Sequence, residues 1–284
     1  MMWLVLLPAL LLAASGLTYV VYWYDTANGP GLERLRDLSG GRPGRWILHG
    51  LLTGALAQAI LILTFPSARI GRKRTLPTPD PDAREPIVFL VHGLYHNRSA
   101  WWFLRRRLAR AGYRDVVLFE YSSWKSDFQQ IAEELAATVR TIHGRAPSRP
   151  LLLVGHSLGG LLCRAAAQRL AELPLSGIIT LGSPHQGSRL SVFALGRLGR
   201  ALSHRGPIIR EIEAGESPLP FPCIALASPV DNMVLPMDAL APPTGAWRVQ
   251  WTEPVSHVAM LYHPRIHARV LQLIRKCQGL ERES

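Results

Sequence analysis

Lysine is nearly absent from this chain of 284 residues: Lys73, Lys125 and Lys276 are its three, against 29 arginines. Acidic residues number only 20, so the formal charge is +12. The bases show no ordered interleaving with aromatics, which argues against a nucleic-acid surface, and no nucleic-acid partner is expected. Cysteine is scarce as well. Cys163, Cys223 and Cys277 are odd in number, far apart and without metal-ligand spacing. That excludes a disulfide framework and a cysteine-based metal site. Cys163 and Cys223 read as small core residues. No metal and no cofactor is expected. Internal repeats are missing, so a solenoid is excluded. Charge is missing from the start of the chain: no charged residue precedes Asp25. The basic start of a secretory signal is therefore lacking, although Ala13-Ala14-Ser15-Gly16 leaves a cleaved signal as an alternative.

What stands there instead is a pair of long apolar runs, residues 2–24 and 46–66, each of bilayer length. His49 and Gln58 are polar blemishes in the second. Tyr19, Tyr22, Trp23 and Tyr24 cluster at the end of the first, as aromatics do at a membrane interface. The expected organisation is a two-span anchor over residues 1–68, a basic, proline-rich linker over 69–85, and a catalytic domain over 86–284. A buried hairpin of a soluble protein is the competing reading. Arg34, Arg36, Arg42 and Arg45 in the connector are matched by Arg69, Arg72, Lys73 and Arg74 after the second run, so the side of the membrane is not readable. Residues 1–68 carry a net +1, leaving +11 for the rest. Attraction to anionic headgroups and a plain arginine bias both account for that excess.

From residue 86 onward apolar runs alternate with helical periods. Strands are expected at 87–91, 116–121, 151–154, 177–181, 223–227 and 247–251. Ser99 reads as the cap of a helix carrying Trp101, Leu104, Leu108 and Ala111 and ending at Gly112. Ser126 to Gln129 reads as a capping box opening a helix with Phe128, Ile131, Leu135, Val139 and Ile142 on one face. A last helix starts at Pro264. The alternation implies right-handed crossovers and a mostly parallel sheet. Residues 186–222 exceed what one crossover needs and read as a cap or lid over the site, or as an ordinary helix with a long loop.

The third strand runs into Gly155-His156-Ser157-Leu158-Gly159-Gly160, the spacing of a nucleophile elbow. A tight strand-to-helix turn leaves no room for side chains at Gly155 and Gly159, and it pushes the serine oxygen outward. A serine hydroxyl needs a base, and the base an acid to fix its tautomer. In this arrangement the chain order is serine, acid, histidine. Asp231 follows one strand end and is the first choice for the acid, with Asp238 as rival and Glu253 too near the base. His257 follows the last strand and is the best base. His263 and His267 are expected to face outward, His156 to point away from the nucleophile, and His185 could line the site. Backbone N–H groups must wait for the developing oxyanion. Leu158 and Leu94 would supply them, the latter in the supporting turn His92-Gly93-Leu94. Trp101, Trp102 and the apolar insertion would form either an acyl pocket or core.

These motifs, together with Thr180-Leu181-Gly182-Ser183-Pro184-His185-Gln186-Gly187-Ser188 and Asp231 with Val234 and Pro236, resemble bacterial lipases of the α/β-hydrolase family. The resemblance covers about residues 85–278. It implies an α/β-hydrolase fold with Ser157 as nucleophile, Asp231 as acid, His257 as base, and Leu94 and Leu158 as oxyanion donors. It implies a lipase or esterase acting on lipid or other hydrophobic esters. Two apparent spans replace the cleaved signal of secreted relatives, and the paired calcium ligands of some relatives are not evident. The expectation is a membrane-anchored serine hydrolase, placed in a bacterial inner membrane. An acyltransferase or thioesterase with the same triad, and a non-catalytic membrane-tethered binding module, are the alternatives.

Overall fold

The computed structural model describes residues 2–69, 76–243 and 245–279. The basic flank Arg72, Lys73 and Arg74 lies outside the described residues. The first apolar run forms α1 (Met2–Ala27), and the second forms α3 (Pro43–Thr64), continued by a 3₁₀ turn over Phe65–Arg69. Both are long and apolar enough to cross a membrane, over Leu7–Ala27 and Pro43–Ala68. The connector between them contains a short helix, α2 (Gly31–Leu38), whose Leu35 is fully buried.

Six strands follow: β1 (Ile87–Val91), β2 (Val116–Phe119), β3 (Leu151–His156), β4 (Leu175–Leu181), β5 (Cys223–Ala227) and β6 (Trp247–Trp251). They pair entirely in parallel, in the order β2-β1-β3-β4-β5-β6. The connecting helices are α4 (Trp102–Arg110), α5 (Phe128–Arg145), α6 (Leu158–Gln168), α7 (Gly196–Arg200), α8 (Pro207–Ala214) and α9 (Pro264–Cys277). A parallel sheet needs both faces covered, so the inner strands β1 and β5 are apolar and buried throughout, whereas the edge strand β6 alternates and leaves Arg248 exposed. Ile87, Phe89 and Val91 of β1 face the core closed by α5 and α6, while Val88 and Leu90 face the core closed by α4 and α9.

Local signals differ from expectation in small ways. The capping box of α5 sits one residue later than read: Asp127 Oδ1 accepts from Gln130 N–H at 2.9 Å, and Gln130 Oε1 accepts from Asp127 N–H at 3.2 Å. The shift makes Phe128 the first helical residue and buries it in the apolar stripe. Asn97, not Ser99, caps the 3₁₀ turn before α4, its Oδ1 accepting from Ser99 N–H at 2.9 Å. Trp101 is fully buried in the core with Leu104 and Leu108, whereas Trp102 is exposed, so the two do not form a shared pocket. Residues 186–222 hold a 3₁₀ turn over Arg189–Phe193 and the short helices α7 and α8.

The N-terminal helices do not stand apart from the sheet. Tyr19 and Tyr22, read as interface aromatics, are buried with Leu35 among Val230, Val234, Leu235, Met237 and Leu240. Trp23 and Tyr24 stay exposed. The reason lies in one helical stripe, Ser15, Tyr19, Tyr22 and Thr26, at spacings of three and four. It turns toward the protein and leaves Leu10, Leu17 and Val20 outward. In α3 the buried stripe is Gly50, Gly54, Ala57 and Thr64, with Leu48, Leu52, Leu56 and Leu63 outward. Further ties hold the ends: Asn97 Nδ2 donates to Phe65 O at 3.2 Å, Arg98 Nε to Ala68 O at 3.0 Å, and Arg189 pairs with Asp25 at 2.6 Å.

Candidate active site

The carboxyl edge of a parallel sheet is where loops from different strands converge. Here β1, β3, β5 and β6 deliver His92 to Leu94, Ser157, Asp231 and His257 respectively. Ser157 occupies the turn between β3 and α6 at φ 54°, a left-handed backbone conformation that costs a non-glycine residue of order 1–3 kcal/mol. Its neighbours explain how it is held there. A Cβ on Gly159 would lie 2.1 Å from Val91 O, and one on Gly155 would lie 2.5 Å from the Gly159 carbonyl carbon. Ser157 N–H donates to Leu181 O at 3.0 Å. The nucleophile turn is thereby wedged between β1 and β4.

Asp231 and His257 are both buried and hydrogen-bonded, Nδ1 to Oδ2, at 2.7 Å. The other carboxylate oxygen, Oδ1, accepts from Met233 N–H at 2.9 Å and Val234 N–H at 3.0 Å. The acid is therefore fixed from both ends, with its charge shared among three donors. Gly182 connects this pair to the serine turn. It follows Leu181, and a Cβ there would stand 2.9 Å from Asp231 Oδ2 and 3.2 Å from His257 Nδ1. Gly93 lies on the other side, where a Cβ would be 2.9 Å from Ser157 Cβ. The N–H groups of Leu94 and Leu158 have no acceptor among the described residues. The Leu94 loop is covered by residues of the 186–222 segment: the Tyr95 hydroxyl donates to Leu195 O, and a Cβ on Gly199 would meet Leu94 Cδ2 at 3.2 Å.

The remaining candidates separate cleanly. Asp238 pairs with Arg34 at the surface. Glu253 is tied through its backbone, its carbonyl accepting from Thr252 Oγ1 at 3.1 Å. His185 does not line the site; it is buried against Trp247, with Nε2 and Thr180 Oγ1 2.9 Å apart. His267 faces inward rather than outward, its Nε2 donating to Leu261 O at 2.7 Å. His156, expected to point away from the nucleophile, meets the base loop: its Nε2 donates to His257 O at 3.1 Å and its ring lies 4.7 Å from the His257 ring. Asn232, which no sequence motif marked, accepts from His257 N–H at 3.1 Å. Its position directly after Asp231 is the only signal that could have pointed to it. Among the described residues no cluster of three or more His, Cys, Asp or Glu side chains could hold a metal ion. Burial pushes the Cys223 thiol up to about 12 and the Cys163 thiol higher still, which leaves both unreactive.

Burial also holds several imidazoles neutral. It lowers His92 and His267 to about 4 each, and His156 and His185 well below the ordinary value. In the unfolded chain these rings take up protons near pH 6.5, so the unfolded state binds more protons below that pH. Stability should be flat with respect to these groups above pH 7 and fall as the pH drops from about 6.5 toward 4. Thermal midpoints measured from pH 8 to pH 4.5 check this. A midpoint unchanged between pH 7 and pH 5 would contradict neutral burial.

Residues 88–276 match the Alpha/beta hydrolase family. Triacylglycerol lipases of Pseudarthrobacter phenanthrenivorans and Burkholderia plantarii are each 29% identical over 117 residues, 39% of this chain and 36% and 32% of theirs. The chain thus matches about a third of the length of these relatives. Among solved structures, the mature form of Bacillus licheniformis lipase BlEst2 aligns with a TM-score of 0.57 at 20% identity, over 70% of this chain and 95% of that one. Aspergillus fumigatus lipase B aligns with a TM-score of 0.55 at 18% identity, over 70% of this chain and 55% of that one. At such identities the structural likeness speaks to the fold.

Proposed function

The chain belongs to the α/β hydrolase family, and from that premise we propose that it is a serine hydrolase that cleaves carboxylic esters of lipid-like substrates beside a membrane. The observation that carries the reading is the buried Asp231–His257 pair at 2.7 Å, set at the same sheet edge as Ser157 in its left-handed turn. In the proposed cycle His257 takes the proton of the Ser157 hydroxyl as the oxygen attacks the ester carbonyl. Asp231 keeps the Nδ1 proton in place, so that Nε2 is the basic nitrogen. The N–H groups of Leu94 and Leu158 receive the oxyanion. The alcohol leaves with the proton held on His257, and water then releases the acid from the Ser157 ester. The names of the matched lipases support lipid or other hydrophobic esters as the substrate class. The outward leucines of α1 and α3 support anchoring in a bilayer, with the hydrolase body resting against the hairpin.

Hydrolysis of p-nitrophenyl esters of increasing acyl length tests this in the full-length protein. Turnover is expected for wild type, and Ser157→Ala should lower kcat by about 10⁶-fold. Hydrolysis that survives the substitution would overturn the assignment. An added alcohol acceptor that captures most of the acyl group would identify a transferase instead.

A further inference from the structure

Several side chains that hold the acid and base loops come from the two apolar helices at the N-terminus. We propose that α1 and α3 are positioning elements of the hydrolytic site, acting through Thr18, Tyr19, Tyr22 and Thr53 with Asn232 as the link, and not only a tether. This rests on the reading of Ser157, Asp231 and His257 as the triad.

Four contacts from the helices, and one between the two loops, carry the inference. Two act on the residues just before Asp231: the Tyr22 hydroxyl donates to Pro229 O at 2.7 Å, and the Tyr19 hydroxyl donates to Val230 O at 2.8 Å. The residue just after it, Asn232, donates from Nδ2 to Thr18 Oγ1 at 2.7 Å. On the base loop, Ser256 N–H donates to Thr53 Oγ1 at 3.1 Å. The next N–H, that of His257, goes to Asn232 Oδ1 at 3.1 Å. Consecutive peptides of the base loop are thus held by α3 directly and by α1 through Asn232.

The hydroxyl valences make these contacts directional. Thr18 Oγ1 donates its single proton to Ser15 O at 2.8 Å. It can therefore only accept from Asn232, which forces the amide nitrogen toward α1 and the amide oxygen toward His257. Thr53 Oγ1 likewise donates to Gly50 O at 2.9 Å and is left to accept from Ser256. The helices are shaped for this approach. A Cβ on Gly50 would fall 2.2 Å from the Tyr19 hydroxyl oxygen, and one on Gly54 would fall 2.4 Å from Ser15 Oγ and 3.4 Å from Ser256 Cβ. A flexible tether needs none of these. The loops they hold lie outside the sheet ladder, and the helix contacts add to ties within the body: Ser228 Oγ accepts from Val255 N–H at 3.2 Å, and His156 Nε2 donates to His257 O at 3.1 Å. Misplacing a catalytic group by about 1 Å costs roughly 10²-fold in rate.

The test uses the full-length protein in one detergent, with kcat and KM for a short-chain p-nitrophenyl ester, the rate of labelling by a fluorophosphonate, and the thermal midpoint. Thr18→Val and Thr53→Val keep volume and delete the acceptor. Each is expected to lower kcat and labelling rate by about tenfold or more, and the double variant by about 100-fold. KM should stay within about twofold, because the acyl and alcohol contacts are untouched. Thr18→Ser and Thr53→Ser restore the acceptor and should recover most of the rate. Valine variants that turn over and label like wild type would overturn the proposal, as would serine variants that fail to recover. A thermal midpoint that falls while kcat holds would assign these contacts to stability alone and overturn it too. Should a valine variant fail to fold, Tyr19→Phe, which deletes only the donor to Val230 O, carries the same two outcomes. Labelling that persists in Ser157→Ala is a different result: it would remove the triad reading itself.

Discussion

Asp231→Asn should lower kcat for ester hydrolysis by about 10⁴-fold while the protein stays folded. The substitution keeps the shape of the side chain. Its amide oxygen can still accept from Met233 N–H and Val234 N–H, the two donors that Asp231 Oδ1 serves at 2.9 and 3.0 Å. The amide nitrogen then occupies the place of Oδ2 and presents a proton to His257 Nδ1. The ring can meet it only by giving up the Nδ1 proton and carrying one on Nε2, which is the tautomer that cannot act as a base toward Ser157. The loss should fall on kcat with KM within about threefold, since the substituted atom touches the base and not the ester. Steady-state kinetics together with a thermal melt measures both. A decrease of less than tenfold would mean that Asp231 is not the group that orients His257.

Glu216→Ala should destabilise the fold by about 3–5 kcal/mol. Arg164, on the helix that follows the serine turn, is wholly buried. Glu216, at the end of the 186–222 segment's helices, meets it twice: Oε1 accepts from Nε at 2.9 Å and Oε2 from Nη2 at 2.5 Å. Oε1 also accepts from Trp247 Nε1 at 3.1 Å, and Arg164 Nη1 donates to His185 O at 3.1 Å. Removing the carboxylate strands a guanidinium away from water, and the desolvation cost of a charge then goes uncompensated. Replacing both partners at once, as Arg164→Met with Glu216→Leu, removes the charge along with its partner and should cost far less. Denaturant unfolding of the three proteins reads the difference. A single Glu216→Ala variant within about 1 kcal/mol of wild type would contradict the burial of this pair.

The strands and the order of the candidate site residues were legible in the sequence because their signals are local. The strands show as short apolar runs or, in β6, as an alternating Trp-Arg-Val-Gln-Trp; Ser157 follows its strand directly and Asp231 and His257 lie in the loops that follow theirs, so reading from strand ends marks them as candidates. What was not legible depends on contacts between distant parts of the chain. Tyr19 and Tyr22 look the same to a hydropathy reading whether lipid or protein surrounds them, and only the fold brings them to carbonyls more than 200 residues away. Asn232 and Thr18 are separated by 214 positions. His185 and His267 were misplaced for a related reason: a histidine's side is set by what packs on it, here Trp247 and the Leu261 carbonyl. The one-residue error in the α5 cap reflects two overlapping boxes, of which the fold chose the one that buries Phe128.

The central claim is that Ser157 is the nucleophile, and the site of covalent capture tests it most directly. Full-length protein treated with a fluorophosphonate, digested and sequenced by mass spectrometry should carry a single adduct on Ser157, with loss of ester hydrolysis in proportion to labelling. An adduct on another residue, or full hydrolysis by protein in which Ser157 is fully modified, would contradict it.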